Sequence, residues 1–332
     1  MMTEVSVAEI RFSNANPGHA DLYSEIFAGL SRRPCRIPPK FFYDEEGSRL
    51  FERICEQPEY YPTRTETALL QQVAGEITEL AGGTGCYLVE PGSGSCEKVR
   101  TLLNPLKPDT YIPMDISCEH LRQAAHSVAS EYPWLEVHAV CADITDTVSL
   151  PFIPEHATRV VFYPGSSIGN FEPFEAATFL GDLARLAGPN GGVLVGVDLK
   201  KDPAVLNAAY NDARGITAAF NLNLLKRINR ELDGDFDIAS FEHCAFYNET
   251  AGRIEMHLIS NRRQTVHIDG HRFEFERNEH IHTENSYKYT IGEFQALARR
   301  AGLIPCAVWT DSAALFSLHF LRRARGVQVD HG

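Results

Sequence analysis

The run Cys86-Tyr87-Leu88-Val89-Glu90-Pro91-Gly92-Ser93-Gly94-Ser95-Cys96-Glu97-Lys98 decides the fold. A short apolar stretch ends at Val89, and two glycines follow before helical spacing begins at Glu97. Glycines at the carboxyl end of a first strand permit positive φ and let a ligand lie against bare backbone beside a helix start. Upstream, residues 63–80 place apolar side chains at helical spacing, so the order is helix, turn, strand. Downstream, short apolar runs recur at 110–114, 135–140, 159–162 and 192–198, with helical stretches notably at 97–103, 118–131 and 175–186. Five short strands with intervening helices predict an α/β fold, a mainly parallel, doubly wound sheet.

The pattern breaks at Lys200. Residues 201–230 read as helical, whereas 239–248, 253–260 and 265–273 alternate like an antiparallel meander. A helix returns at 291–301, and 303–310 with 313–322 read as a hairpin added to the sheet edge. The chain therefore divides into a ligand-binding α/β domain, 62–199 plus 287–325, and a second α+β unit, 1–61 plus 200–286, whose pieces are expected to meet the first across a cleft. The 31 Lys and Arg against 44 Asp and Glu, a net charge of -13, would repel a polyphosphate backbone. Only the basic runs at 31–36 and 322–325 offer nucleic acid a foothold, and no nucleic-acid partner is expected. The N-terminal residues carry no signal-peptide pattern and no stretch approaches a membrane span. Eight cysteines at irregular spacing, none in a C-x-x-C pair, predict reduced thiols in a cytoplasmic protein.

At the glycine loop, a dinucleotide site would require a third glycine near position 97, where Glu97 stands. An acid there repels pyrophosphate, whereas S-adenosylmethionine carries a sulfonium and no phosphate. Glu90, at the strand end, is placed to face that cation. The second strand ends at Asp115, where a carboxylate can accept both ribose hydroxyls, and the third at Asp143, where one can accept from an adenine amino group. Helix capping is the structural reading of either acid taken singly.

The second informative loop is Tyr163-Pro164-Gly165-Ser166-Ser167-Ile168-Gly169-Asn170, after the fourth strand. Its polar groups could grip a small polar substrate, or Asn170 could simply cap the next helix. Together with Phe41-Phe42-Tyr43-Asp44-Glu45-Glu46-Gly47-Ser48, Pro58-Glu59-Tyr60-Tyr61-Pro62-Thr63-Arg64, the Gly92 loop, Asn207-Ala208-Ala209-Tyr210-Asn211-Asp212 and Thr283-Glu284-Asn285-Ser286, it forms an ordered set of six motifs. From about residue 20 to 325 this set closely resembles the histidine Nα-methyltransferases of ergothioneine biosynthesis. The resemblance implies a class I methyltransferase fold and S-adenosylmethionine-dependent trimethylation of the α-amino group of L-histidine to hercynine.

Carried over residue by residue, the resemblance implies that Asn170 and Tyr210 hold the substrate carboxylate while Tyr60, Tyr43 and the Gly165 backbone surround the amino group. Glu284 and Ser286 would bond the imidazole, with Met256 on the pocket wall. Gly94 would bind the cofactor too, whose methionine part would lie near Gly92 and Lys98, its ribose at Asp115 and its adenine at Asp143 with Ile144. The sequence departs from the family pattern at Pro91, Ile144 and Asn285. Methylation of another aromatic amino acid, such as a tryptophan derivative, and a non-catalytic sensor of the same ligands are the alternatives. The histidines at 243, 257, 280, 282 and 319 match no metal motif, so no metal is expected, and a monomer is.

Overall fold

The computed structural model describes residues 10–15, 19–146 and 148–324. Its strands are β1 (Arg11–Asn14), β2 (Cys35–Arg36), β3 (Tyr87–Pro91), β4 (Thr110–Asp115), β5 (Glu136–Cys141), β6 (Arg159–Tyr163) and β7 (Gly192–Asp198). There follow β8 (Phe241–Asn248), β9 (Arg253–Ser260), β10 (Gln264–Ile268), β11 (His271–Phe275), β12 (His280–Tyr287), β13 (Leu303–Thr310) and β14 (Phe316–Arg323). The helices are α1 (His19–Ser31), α2 (Glu45–Cys55), α3 (Tyr61–Ala81), α4 (Arg100–Leu106), α5 (Cys118–Glu131), α6 (Pro173–Ala187), α7 (Pro203–Ala209), α8 (Ile216–Glu231) and α9 (Ile291–Arg300). Among described residues, one compact unit comprises 10–14, 65–199 and 289–324, and the other 15, 19–64 and 200–288.

The first unit is built on one sheet in the order β1-β5-β4-β3-β6-β7-β14-β13. The first six strands run parallel, and β14 and β13 close the edge antiparallel. Leu88 and Tyr111 on the strands and Leu70, Ile77 and Leu121 on the helices are buried in its core. Strand order reverses around β3, and in such sheets ligands bind outside the carboxyl ends at that reversal. The glycine loop follows β3 directly.

Three expectations are corrected here. Residues 11–14, assigned by sequence to the second unit, pair with β5 as a parallel edge strand. The cysteines are not all reduced: Cys118 and Cys141 form a disulfide. They stand 23 residues apart, but β4 and β5 are neighbours, so the chain meets itself just past Asp115. The helix expected from Glu97 starts only at Arg100, because Gly94 and Cys96 both take positive φ and use the intervening residues as turn.

The second unit carries a four-stranded sheet, β2-β12-β9-β8, with α8 against β8 and β9. The Asp44 carboxylate caps α2 by accepting from Gly47 N at 2.7 Å, and it also receives Asn223 Nδ2 and Arg230. The helical stretch 201–230 is two helices. Asp202 caps α7, and Asp212 caps α8 by accepting from Ile216 N and Thr217 N at 2.8 and 2.7 Å. The third meander strand is a hairpin instead, since Asp269 and Gly270 both take positive φ and turn β10 back as β11. The strand that completes the main sheet is β12, which periodicity did not reveal. Among the described residues, no helix is long and apolar enough to cross a membrane.

Candidate active site

In the first unit, Gly92 and Gly94 hold φ of +70° and +52°. A side chain at Gly92 would touch Ile144 Cδ1, which places Ile144 over the loop. Asp115 stabilises the loop from beneath. Its Oδ2 accepts from Gly94 N at 3.0 Å and its Oδ1 from Ser117 N at 2.9 Å, while burial raises its pKa. The carboxylate thus combines helix entry with loop support, and each oxygen retains a second lone pair suited to a hydroxyl. Asp143 Oδ1 accepts from Thr145 N and Oγ1 at 2.9 and 2.6 Å, a local turn beneath Ile144.

Glu90 is 1% exposed, and the Tyr111 phenol donates to it. Burial pushes its pKa up to about 8, against the lowering effects of Tyr111 and Lys98. Lys98, assigned by sequence to the methionine part, donates at 2.6 Å to Glu66, a fully buried carboxylate that sequence reasoning missed. Glu66 also accepts from Gly165 N through both oxygens, at 2.9 and 3.0 Å. One buried acid therefore fixes both Lys98 and the loop after β6. In that loop Gly165 and Ser166 hold φ of +81° and +59°, and Ser166 Oγ accepts from Asp198 N. Asn170 ends a short 3-10 helix and does not cap α6, whose capping box is Glu172 with Glu175. A cavity of about 610 Å3 in this unit is lined by Pro91, Met114 and Ile144 but not by Gly92, Gly94 or Asp115.

In the second unit, the structure brings Tyr43, Tyr60, Tyr210, Met256, Glu284 and Ser286 onto neighbouring elements. The Tyr60 and Tyr210 rings meet edge to face at 6.2 Å, and Tyr43 joins the cluster through Phe51. Arg64 bonds the carbonyls of Gln57, Pro58 and Tyr60 and so sets the turn that presents Tyr60. Burial pushes the Tyr60 phenol well above its ordinary pKa, so it stays protonated at neutral pH. On β12, Glu284 pairs in register with Met256 of β9. Glu284 is 8% exposed, and burial lifts its pKa to about 7 although Lys288 pulls it down.

Lys288 is a second residue that sequence reasoning missed. It is 2% exposed and donates to Ser286 Oγ at 2.8 Å and Tyr210 Oη at 3.1 Å, while Tyr210 Oη donates to Ser286 Oγ at 2.8 Å. The signal that could have found it is period two: residues 284, 286 and 288 alternate along one extended run. The other polar residues of the Asn207 motif support the frame. Asn207 Oδ1 accepts from Tyr247 N, and Asn211 donates to Asn207 O and Ala245 O.

The doubly wound sheet and the acidic glycine loop at its strand reversal define a class I S-adenosylmethionine-dependent methyltransferase. The buried carboxylate among phenols in the second unit suits a small polar substrate with a hydrogen-bonding side chain. A family model described as histidine-specific methyltransferase, SAM-dependent, matches residues 22–323, and the chain belongs to that family. The histidine N-alpha-methyltransferase of Mycolicibacterium smegmatis is 42% identical over 303 residues, covering 90% of this chain and 93% of that protein. The protein of the same name from Mycobacterium tuberculosis is 39% identical, covering 91% and 94%. Ergothioneine biosynthesis protein 1 of Neurospora crassa is 33% identical over 88% of this chain and 34% of its own length.

Proposed function

We propose that the protein trimethylates the α-amino group of L-histidine, forming hercynine in three successive transfers. The observation that carries the choice of substrate is the buried pair Glu284 and Ser286 on one face of β12, beside Lys288 and Tyr210. A carboxylate that accepts from an imidazole N–H is left desolvated and unpaired by an apolar side chain, which disfavours other amino acids.

S-adenosylmethionine, when bound, supplies a methyl electrophile to the lone pair of an amine. The glycine loop fits it: Gly92 and Gly94 leave backbone open, and acids rather than a phosphate-binding set surround them. In this reading Gly92, Gly94 and Lys98 serve its methionine part, Glu90 faces the positive charge, Asp115 takes the ribose, and Asp143 with Ile144 the adenine. Tyr210 and Asn170 hold the substrate carboxylate, and Tyr43, Tyr60 and the Gly165 backbone orient the amine. Asn170 and Gly165 are assigned by the family pattern alone.

Transfer requires a neutral amine, so the substrate ammonium gives up its proton to solvent before each step. Tyr60 is too weak an acid to ionise at neutral pH, and it orients the nitrogen as a neutral phenol. The aromatic group also tolerates the trimethylammonium product through cation–π attraction.

The test is to mix the purified protein with S-adenosylmethionine and each of the twenty amino acids, then read products by mass. Histidine carrying one, two and three added methyl groups is expected. Methylation of tryptophan or tyrosine in preference to histidine would overturn the substrate, and no product from any amino acid would favour a sensor.

A further inference from the structure

We propose that Glu255, His257 and His282 form a binding site for a zinc-class divalent cation, separate from the methyl-transfer chemistry and independent of the substrate assigned above. These residues are far apart in sequence, but β9 and β12 pair antiparallel with His257 directly opposite His282. Glu255 lies two residues before His257 and therefore on the same face, while Met256 points to the other side with its partner Glu284. One donor atom from each of the three lies within 4.8 Å of the others, the one such grouping among the described residues. Zinc bonds of about 2.0–2.2 Å in a tetrahedron need donors about 3.4 Å apart, so rotations moving these atoms by about an ångström close the site.

The donor set is two imidazoles and one carboxylate, the borderline nitrogen and oxygen ligands that zinc accepts, with a fourth position open to water. His280 stands nearby, its ring centroid 5.2 Å from that of His257. The His257 and His282 rings face each other with centroids 5.0 Å apart. Outer partners orient the ligands, since Arg253 Nε bonds Glu255 Oε1 at 2.8 Å and Asn285 Oδ1 bonds His282 Nε2 at 2.8 Å. Glu255 Oε2 is left facing His257 Nε2 at 3.2 Å. His257 Nδ1 is buried without a hydrogen-bond partner, so no donor fixes it as an acceptor and it is free to carry the ring proton when Nε2 takes a cation. A cation taken by His257 Nε2 and Glu255 Oε2 displaces the hydrogen bond between them, and the ring proton then resides on His257 Nδ1, leaving a neutral imidazole ligand. Arg253, and Arg36 opposite His282 on β2, oppose a second positive charge, so the site favours a cation with strong nitrogen affinity over calcium or magnesium.

The experiment uses the full chain, untagged and stripped with a chelator. Zinc is titrated calorimetrically, and cobalt is titrated for the visible bands of a tetrahedral nitrogen and oxygen site. One equivalent of each is expected, with a raised thermal midpoint in zinc. His257→Ala and His282→Ala should each weaken binding by at least about tenfold and abolish the cobalt bands. His267→Ala, an exposed histidine outside the cluster, should leave both unchanged. If either alanine variant loses native circular dichroism, Glu255→Gln, which keeps the shape, takes its place. Absence of stoichiometric zinc binding, or binding that survives the cluster variants, overturns the proposal.

Discussion

Glu90→Gln tests the electrostatics of the cofactor loop. A carboxyl with a pKa of about 8 is protonated in about nine-tenths of molecules at pH 7. If Glu90 faces the cofactor cation, binding must ionise it and release close to one proton per site at that pH. Restoring its pKa even to about 6 corresponds to about 2.7 kcal/mol of coupling. At 1% exposure little of that is lost to solvent screening. Affinity for S-adenosylmethionine should therefore rise about sixfold between pH 6.5 and 7.5 and level off above about pH 9. The glutamine variant keeps the shape and a partner for Tyr111, but it should release no proton, show a flat pH profile and bind the cofactor more weakly at pH 8. Titration calorimetry in buffers of different ionisation enthalpy measures the proton directly. Wild-type release below about one-fifth of a proton at pH 7, or unchanged release in the variant, would refute the placement of Glu90.

Glu66→Ala leaves the Lys98 ammonium and the Gly165 amide without their buried partner, and a loss of about 3 kcal/mol is expected in urea unfolding. Glu284→Ala should weaken histidine binding by about 1.5–3 kcal/mol, read by calorimetry, with cofactor affinity unchanged. Lys288→Met removes the cation that lowers the Glu284 pKa, so the pH below which histidine binding weakens should move upward, as followed by KM against pH. In the ligand-free protein Glu284 and Glu90 hold protons that the unfolded chain has lost, because their folded pKa values of about 7 and 8 lie above the unfolded ones. Their contribution to stability is complete below about pH 4.5 and is lost as pH rises from there through the folded values, so denaturant midpoints should fall between about pH 4.5 and 8 and level off above. Saturating S-adenosylmethionine should reduce that fall.

Hydropathy read the first unit well because its strands are short apolar runs between amphipathic helices. Residues 118–131 and 192–198 match α5 and β7 end for end. The edge strand β1 carries Arg11, Ser13 and Asn14, and its place depends on a backbone pairing with β5 that no local pattern encodes. Glu66 was invisible for a related reason: Lys98 and Gly165 lie 32 and 99 residues away, and an acid on an amphipathic helix ordinarily reads as solvated surface. The disulfide depends likewise on two adjacent strands.

The strand β12 was missed for a different reason, its polar composition. Its sequence, His-Ile-His-Thr-Glu-Asn-Ser-Tyr, is polar at positions where an apolar pattern was sought, yet Thr283, Glu284, Asn285 and Ser286 are all buried. Polar side chains can be buried on both faces of a central strand only if each face supplies partners. One face does so with Lys288 and Tyr210 around Ser286, the other with Asn285 against His282, and Thr283 donates to Asn221. A register irregularity between His282 and Glu284 separates the two arrangements, shifting the alternation by a residue. A strand stabilised mainly by apolar packing would have been easy to read, but it would not have offered the polar partners among which Glu284 and Ser286 are buried.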